Sequence, residues 1–416
     1  MKRILTVILC AAAVCACSKG DSPDPVEEQV PEVQERHDIV LTKSQQALVD
    51  AGNSFAFEFL KALHPLEDGQ EVFISPFSLQ TAFSMLSNGA AGETLSQMAA
   101  AIGFGGYSAD EINSTYKILL SELYGADSST KFSVANALWL GKNFQAKKDF
   151  TAVLQDSYDA GVATLDFGSP QAAETINSWA EENTFGMIPE FVDHTDPNWV
   201  YVLTNALYFN GIWGHKFDSA QTRKEAFIRA DGSEVQLDFM RKDVVCRHAY
   251  VDKLSASLCE LPFGNGAFAL DILLPEEGID FGAFVQKLDD GIWNAAAESL
   301  RHEEVFVIVP RLELSYSGSD NVVDALKALG MTDAFDASKA DFSHLSDVRT
   351  YISDVLHKAC FKMDERGAEA SAVTAIVAKL NSAGPAPEFF TDHPFVFAIR
   401  ETSTGAILFL GTYRGL

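Results

Sequence analysis

The stretch Glu365-Arg366-Gly367-Ala368-Glu369-Ala370-Ser371-Ala372-Val373-Thr374 sits late in the chain, between two hydrophobic runs that both read as strands. Alternate positions give Ala368, Ala370, Ala372 and Thr374 on one face, with Glu369, Ser371 and Val373 on the other. Side chains alternate faces along a strand, so this segment can enter a sheet with its small face buried. No proline interrupts it before Pro385. From Arg366 to Glu388 about twenty residues carry no core-forming pattern, and a loop that long is uncommon in a compact domain. Gly367 supplies the backbone freedom for a turn. The segment therefore reads as a surface loop with the makings of a strand, or else as a floppy insertion.

Working outward, the 416 residues are 47% hydrophobic and include 30 Phe, ample for a large core. No internal linker, repeat or low-complexity tract follows residue 38, which makes residues 39–416 one large domain with a loop at about 366–388. The net charge of −27 argues against nucleic acid or an anionic membrane surface as a partner.

Lys2 and Arg3 precede an apolar run from Ile4 to Cys17 that is too short to span a bilayer. The run ends Val14-Cys15-Ala16-Cys17 and resembles a bacterial lipoprotein signal, with Cys17 as the lipid anchor and residues 1–17 as the signal peptide. Cys15 departs from the small or aliphatic residue preferred there, and an ordinary secretory signal is the alternative. Residues 18–38, rich in Asp, Glu, Pro and Gln, read as a disordered acidic spacer. The expected location is the cell envelope or surface, or the secreted fraction. Cys246, Cys259 and Cys360 are an odd set lying among apolar residues, so buried free thiols are expected, with one disulfide as the alternative. No close Cys/His spacing suggests a metal site, and no cofactor is expected.

Helical signals come first. Thr42 and Gln45 can form a capping box, as can Ser108 and Glu111. Ser75-Pro76 and Ser169-Pro170 open two further helices, and Asn321–Leu329 is a last one. Strands are expected at Phe132–Leu140, Trp199–Phe209, Val305–Leu314 and Tyr351–Met363. Hairpins are expected around Gly264-Asn265-Gly266 and around Thr402–Gly405. Helices early and strands late favour an α+β fold over a doubly wound sheet.

These pieces, in this order, resemble the serpin family. The resemblance rests on Phe73–Ser78, Asn88–Thr94, Leu203–Trp213, Ile308–Leu312, Leu329–Phe335, Ala340–Ser343, His357–Ala359 and Pro394–Arg400, and covers roughly residues 40 to 416. It implies three β-sheets with about eight or nine helices and an exposed reactive-centre loop. Ser75, Ser78, Asn205 and His357 match positions beneath the central sheet where its strands part, and Trp213 matches the top of that sheet. It also implies a monomeric suicide inhibitor of serine endopeptidases, with cysteine endopeptidases as a second class. The target's nucleophile attacks the scissile bond, and the freed loop inserts into the central sheet, a transition typical of the family. Glu365, Gly367, Ala368, Ala370, Ala372 and Thr374 would form the hinge.

The scissile bond is placed first at Asn381–Ser382 by position and second at Lys379–Leu380 by chemistry. Counting back from Pro387-Glu388 gives Ala383–Gly384. Lys379 suits a trypsin-like enzyme, Leu380 a chymotrypsin-like one, and Val377 and Ala378 elastase-like ones. The rival readings are a non-inhibitory carrier of the same family, a surface binding lipoprotein, and an enzyme. The last lacks a Gly-x-Ser-x-Gly elbow, a His-Glu-x-x-His pair and a phosphate-binding glycine loop.

Overall fold

The computed structural model describes residues 36–367 and 386–416, apart from positions 319 and 354. Among these residues there are nine α-helices. In the first part they are α1 (Lys43–Leu63), α2 (Pro76–Ser87), α3 (Gly92–Ala101), α4 (Ala109–Gly125), α5 (Lys148–Tyr158) and α6 (Pro170–Asn183). Later come α7 (Phe281–Lys287), α8 (Asp290–Ser299) and α9 (Asp320–Ala328). Thr42 and Ser108 each close a full capping box, satisfying backbone donors that a helix start leaves unpaired. Ser75 caps α2 through the N–H of Ser78, with Pro76 at the first turn. Ser169 precedes α6 without capping it; its hydroxyl turns to Gln171 instead.

The strands are β1 (Val72–Ile74), β2 (Lys131–Gly141), β3 (Gly161–Leu165), β4 (Tyr201–Asn210), β5 (Arg223–Ile228), β6 (Glu234–Val251) and β7 (Ala256–Phe263). They continue with β8 (Phe268–Pro275), β9 (Arg301–Pro310), β10 (Leu312–Gly318), β11 (His357–Met363), β12 (Glu388–Phe390), β13 (Phe395–Glu401) and β14 (Ile407–Tyr413). They form three sheets. A nine-stranded sheet runs β1-β14-β13-β8-β7-β6-β9-β12, with β5 paired to β6. A three-stranded sheet runs β3-β2-β4, and β10-β11 is a separate pair. Both expected hairpins form, β7–β8 and β13–β14.

Three expectations need correction. The run Val305–Leu314 is two strands in two different sheets, because the chain leaves β6 after Arg311, whose N–H donates to Asp238 O at 2.9 Å, and Leu312 begins the pairing with β11 opposite Met363. Tyr351–Met363 is strand only from His357, since its partner β10 ends at Gly318, opposite His357. Cys360 is half-buried rather than buried, because it lies on the outer face of β11 with its sulfur 3.5 Å from Ser315 Oγ. Cys246 and Cys259 are buried free thiols.

The layers place the site. The inner face of β4 (Leu203, Asn205, Leu207, Phe209) meets α2 and the nine-stranded sheet; its outer face (Val202, Thr204) lies under α6, whose Ala172, Ile176 and Ala180 pack there. Between β4 and β11 no ladder is formed among the described residues. That unpaired slot is where the predicted functional residues meet.

Candidate functional site

At the end of β11 the chain reverses over Asp364–Gly367. Asp364 N–H donates to Gly367 O and Gly367 N–H to Asp364 O, both at 3.1 Å. Gly367 also forms an antiparallel bridge with Ile212, just beyond β4. Only glycine fits this position: φ is +104°, and an added Cβ would lie 2.4 Å from Gly211 O.

The two residues inside this turn are held from both sides. Trp213 N–H donates to Arg366 O at 3.2 Å, and Phe217 N–H to Glu365 O at 3.0 Å. The Glu365 carboxylate is buried and takes the Arg311 guanidinium as a fork, through Nε at 3.0 Å and Nη2 at 2.6 Å, with Thr222 Oγ1 as a further donor. Burial alone would raise its pKa, but the hydrogen bonds from Arg311 and Thr222 outweigh it and hold the carboxyl below its ordinary range. Trp213 closes this end of the slot. Its ring stacks on Phe263 at 4.6 Å, and its Nε1 donates to Asp364 O at 2.8 Å. The turn is therefore clamped by an ion pair spanning 54 residues of sequence and by a buried indole.

Lower in the slot the polar residues are buried and paired with one another. Ser75 N–H donates to His357 Nε2 at 3.1 Å, and Ser75 Oγ donates to Leu408 O at 2.8 Å. Ser78 Oγ donates to Asn205 Oδ1, and Asn205 Nδ2 donates to Asn136 Oδ1 at 2.6 Å. Full burial lowers the His357 pKa to about 4. At neutral pH the ring is thus uncharged, with Nε2 as an acceptor. Below this network the slot opens into a cavity of about 340 Å³ lined by Ser78, Phe83, Tyr201, Leu203, Asn205 and His357.

Ser75, Ser78, Asn205 and His357, scattered over 283 residues of sequence, are thus brought into one network, and Trp213, Glu365 and Gly367 into a second constellation above it. Ala368, Ala370, Ala372, Thr374, the bonds Asn381–Ser382 and Lys379–Leu380, and Cys17 lie outside the described residues. Sequence reading missed Arg311, Thr222 and Asn136. Arg311 had a signal, a lone cation directly after Pro310 at the end of an apolar run. Asn136 had none, since one amide inside a strand is unremarkable until Asn205 is seen directly opposite it. No group of three or more His, Cys, Asp or Glu among the described residues is placed to hold a metal ion.

Comparison with known proteins gives the same frame. The family model described as Serpin (serine protease inhibitor) matches residues 50–415. The chain is similar to Iripin-8 of Ixodes ricinus, 32% identical and covering 90% of this chain and 95% of that protein. It is also 32% identical to the human leukocyte elastase inhibitor, over 88% of this chain and 99% of the other. Among solved structures, the thermophilic serpin tengpin in its native state aligns with a TM-score of 0.80 at 28% identity, over 92% of this chain and 97% of that one.

Proposed function

The chain belongs to the serpin family, described as serine protease inhibitors and including the leukocyte elastase inhibitor, and from that premise we propose that it traps serine endopeptidases by inserting its cleaved reactive loop into the slot between β4 and β11. The observation that carries this reading is the double pairing of Gly367, to Ile212 on one side and to Asp364 on the other. Antiparallel pairing continued from these bridges has one register. Seven residues on from Gly367 is Thr374; seven back from Ile212 is Asn205, and seven back from Asp364 is His357.

Thr374 would then join the slot between Asn205 and His357, where its hydroxyl can bond within the neutral network. In the same register Ala370 meets Phe209 and Phe361, and Ala372 meets Leu207 and Ala359, all inward-facing buried positions. Small residues are what such a face can accept without overpacking. Glu369 falls on the outer face between exposed Lys362, an opposite charge, and buried Asn210. About a dozen new ladder hydrogen bonds at roughly 1 kcal/mol each supply on the order of 10 kcal/mol, enough to make insertion irreversible on the timescale of acyl-enzyme hydrolysis.

The chemistry requires the target's nucleophile to form an ester at the scissile carbonyl and release the segment that follows. Asn381–Ser382 remains the first choice of bond and Lys379–Leu380 the second. The test is incubation with trypsin, chymotrypsin, elastase and a papain-like enzyme. A complex that survives denaturing electrophoresis supports trapping, and the mass of the released peptide locates the cut. Cleaved inhibitor with free enzyme in every case would leave the carrier reading in its place.

Export and lipid attachment at Cys17 belong to the same proposal. They rest on the Lys2-Arg3 start, the apolar run and the Ala16-Cys17 pair, with residues 18–38 as a tether to the folded domain. More than one lipid chain on that cysteine would hold the inhibitor at the envelope, where it would shield the cell from external proteases. Detergent partitioning of the wild type against Cys17→Ser tests it: equal partitioning into the aqueous phase overturns the anchor without touching the inhibitory reading.

A further inference from the structure

A second concavity lies away from the slot, between the β5–β6 turn, the segment leading into α7, and the C-terminal residues. Its volume is about 860 Å³, within the range of small-molecule sites. Its apolar wall includes Ile228, Ile279, Phe281 and Pro394. Two guanidinium groups, those of Arg229 and Arg414, line it as well.

Neither Arg229 nor Arg414 has a carboxylate within ion-pair distance among the described residues; Asp231 acts on the first and Glu71 on the second from farther away. Arg229 Nε donates to Gly415 O at 2.7 Å, which fixes the side chain through one nitrogen and leaves the terminal amino groups for a ligand. The Arg414 guanidinium stands 5.9 Å from the centre of the Phe281 ring. The carboxylates nearby also hold backbone donors. Glu71 accepts the N–H groups of Arg414 and Leu416, Asp231 accepts that of Ser233, and Asp280 accepts that of Ala283. Asp392 is paired with His393, and Glu277 is the remaining acid of the wall, close to that same histidine. His393 has no free nitrogen, since its other one contacts Pro275 O at 2.7 Å.

We propose that this cleft binds a small amphipathic carboxylate, its headgroup held by Arg229 and Arg414 and its hydrocarbon part laid against Phe281 and Ile279. Guanidinium forks match carboxylate oxygens in plane, and an apolar wall beside them selects a ligand with a hydrophobic body over a free inorganic anion. One wall, His393-Pro394, follows β12 closely, and Ile228 N–H donates to Asp392 O at 2.7 Å. The cleft is therefore built against the segment that returns the reactive loop to the sheet, yet it stands whether or not the protein inhibits proteases.

Titration calorimetry of the folded domain with octanoate, octanol and octyltrimethylammonium tests this. Octanoate should bind, with octanol and the cation at least tenfold weaker. Arg229→Gln and Arg414→Gln should each weaken octanoate by about fivefold to tenfold without changing the ligand-free melting temperature. Ile279→Trp, which touches neither charge, should block the cleft and abolish binding even if an arginine variant fails to fold. Equal binding of octanoate and octanol, octanoate affinity unchanged in both arginine variants or in Ile279→Trp, or no octanoate heat at millimolar concentration each overturns the assignment.

Discussion

Two regions bury polar groups in opposite ways. Lower in the slot between β4 and β11, beneath the Glu365–Arg311 clamp, the buried groups are neutral: hydroxyls, amides and an uncharged imidazole. In the nine-stranded sheet they are ions. Arg400 holds Asp271 through Nε at 2.5 Å and also contacts Glu260, which Arg247 reaches at 3.0 Å. These residues sit on β6, β7, β8 and β13, each paired on both sides. Removing one partner of a buried ion pair leaves an uncompensated charge and costs about 3–5 kcal/mol. Exchanging one neutral hydrogen bond for another costs little. Strands can part where their polar contacts are neutral, and they stay in register where those contacts are charged.

The largest effect is expected for Arg400→Met, which strands Asp271 in the core and leaves Glu260 to Arg247 alone. It should lower unfolding free energy by about 3–5 kcal/mol, read from denaturant melts. A loss below about 1 kcal/mol would mean the ionic cluster does not hold the sheet. Gly367→Ala tests the clamp at the top of the slot. Its Cβ would collide with Gly211 O at 2.4 Å in a backbone region closed to alanine, so a loss of about 2 kcal/mol or more is expected. Wild-type stability in that variant would mean the bridge to Ile212 is not a fixed feature.

pH separates the two regions by sign. His357 is neutral when folded, with a pKa lowered by burial from 6.5 to about 4. The unfolded chain therefore binds the extra proton between those values, and the His357 contribution is complete above pH 6.5 and lost as pH falls toward 4. Its full size is on the order of 3 kcal/mol. Asp271 is shifted the other way, its pKa raised by burial despite Arg400. The folded state then holds its proton more tightly than the unfolded state, so the Asp271 contribution is present at low pH and lost as pH rises through the folded pKa. His357→Gln should remove the acid-side loss and leave stability that falls as pH rises from 4 toward neutrality. Melts at pH 4, 5, 6 and 7 with the slope of the wild type would show that His357 is not the titrating group.

The smallest effect sharpens the proposed register. Lys362 is exposed on the outer face of β11, opposite the position assigned to Glu369. Lys362→Glu would set like charges across the new ladder, a penalty of about 0.2–1 kcal/mol. Slower insertion should raise the share of inhibitor cleaved without trapping by roughly two- to fivefold, measured as inhibition stoichiometry. An unchanged stoichiometry with Lys362→Glu would mean a different register.

Local chemistry made much of the fold legible. Thr42 with Gln45 and Ser108 with Glu111 announce helix starts because a cap is formed within four residues. Gly264-Asn265-Gly266 announces a hairpin because the turn requires positive φ at Gly264 and Gly266. The long strand β6 gave no such signal, since Arg241-Lys242-Asp243 and Arg247-His248 interrupt its apolar alternation. Those charges are tolerated because Glu225, Lys216 O, Glu260 and Glu303 lie on or near neighbouring strands to meet them.

Neighbouring residues dictate where the chain can turn, cap and alternate, and so the order of elements, the glycine at 367 and the small-residue face that follows it in the sequence. Tertiary structure alone decided that β9 and β10 part company at Arg311, that Glu365 finds that arginine, and that Ser75, Ser78, Asn136, Asn205 and His357 share one network. Caps and turns are written in neighbouring residues, whereas a buried polar group is satisfied by whatever partner the fold carries to it across hundreds of positions.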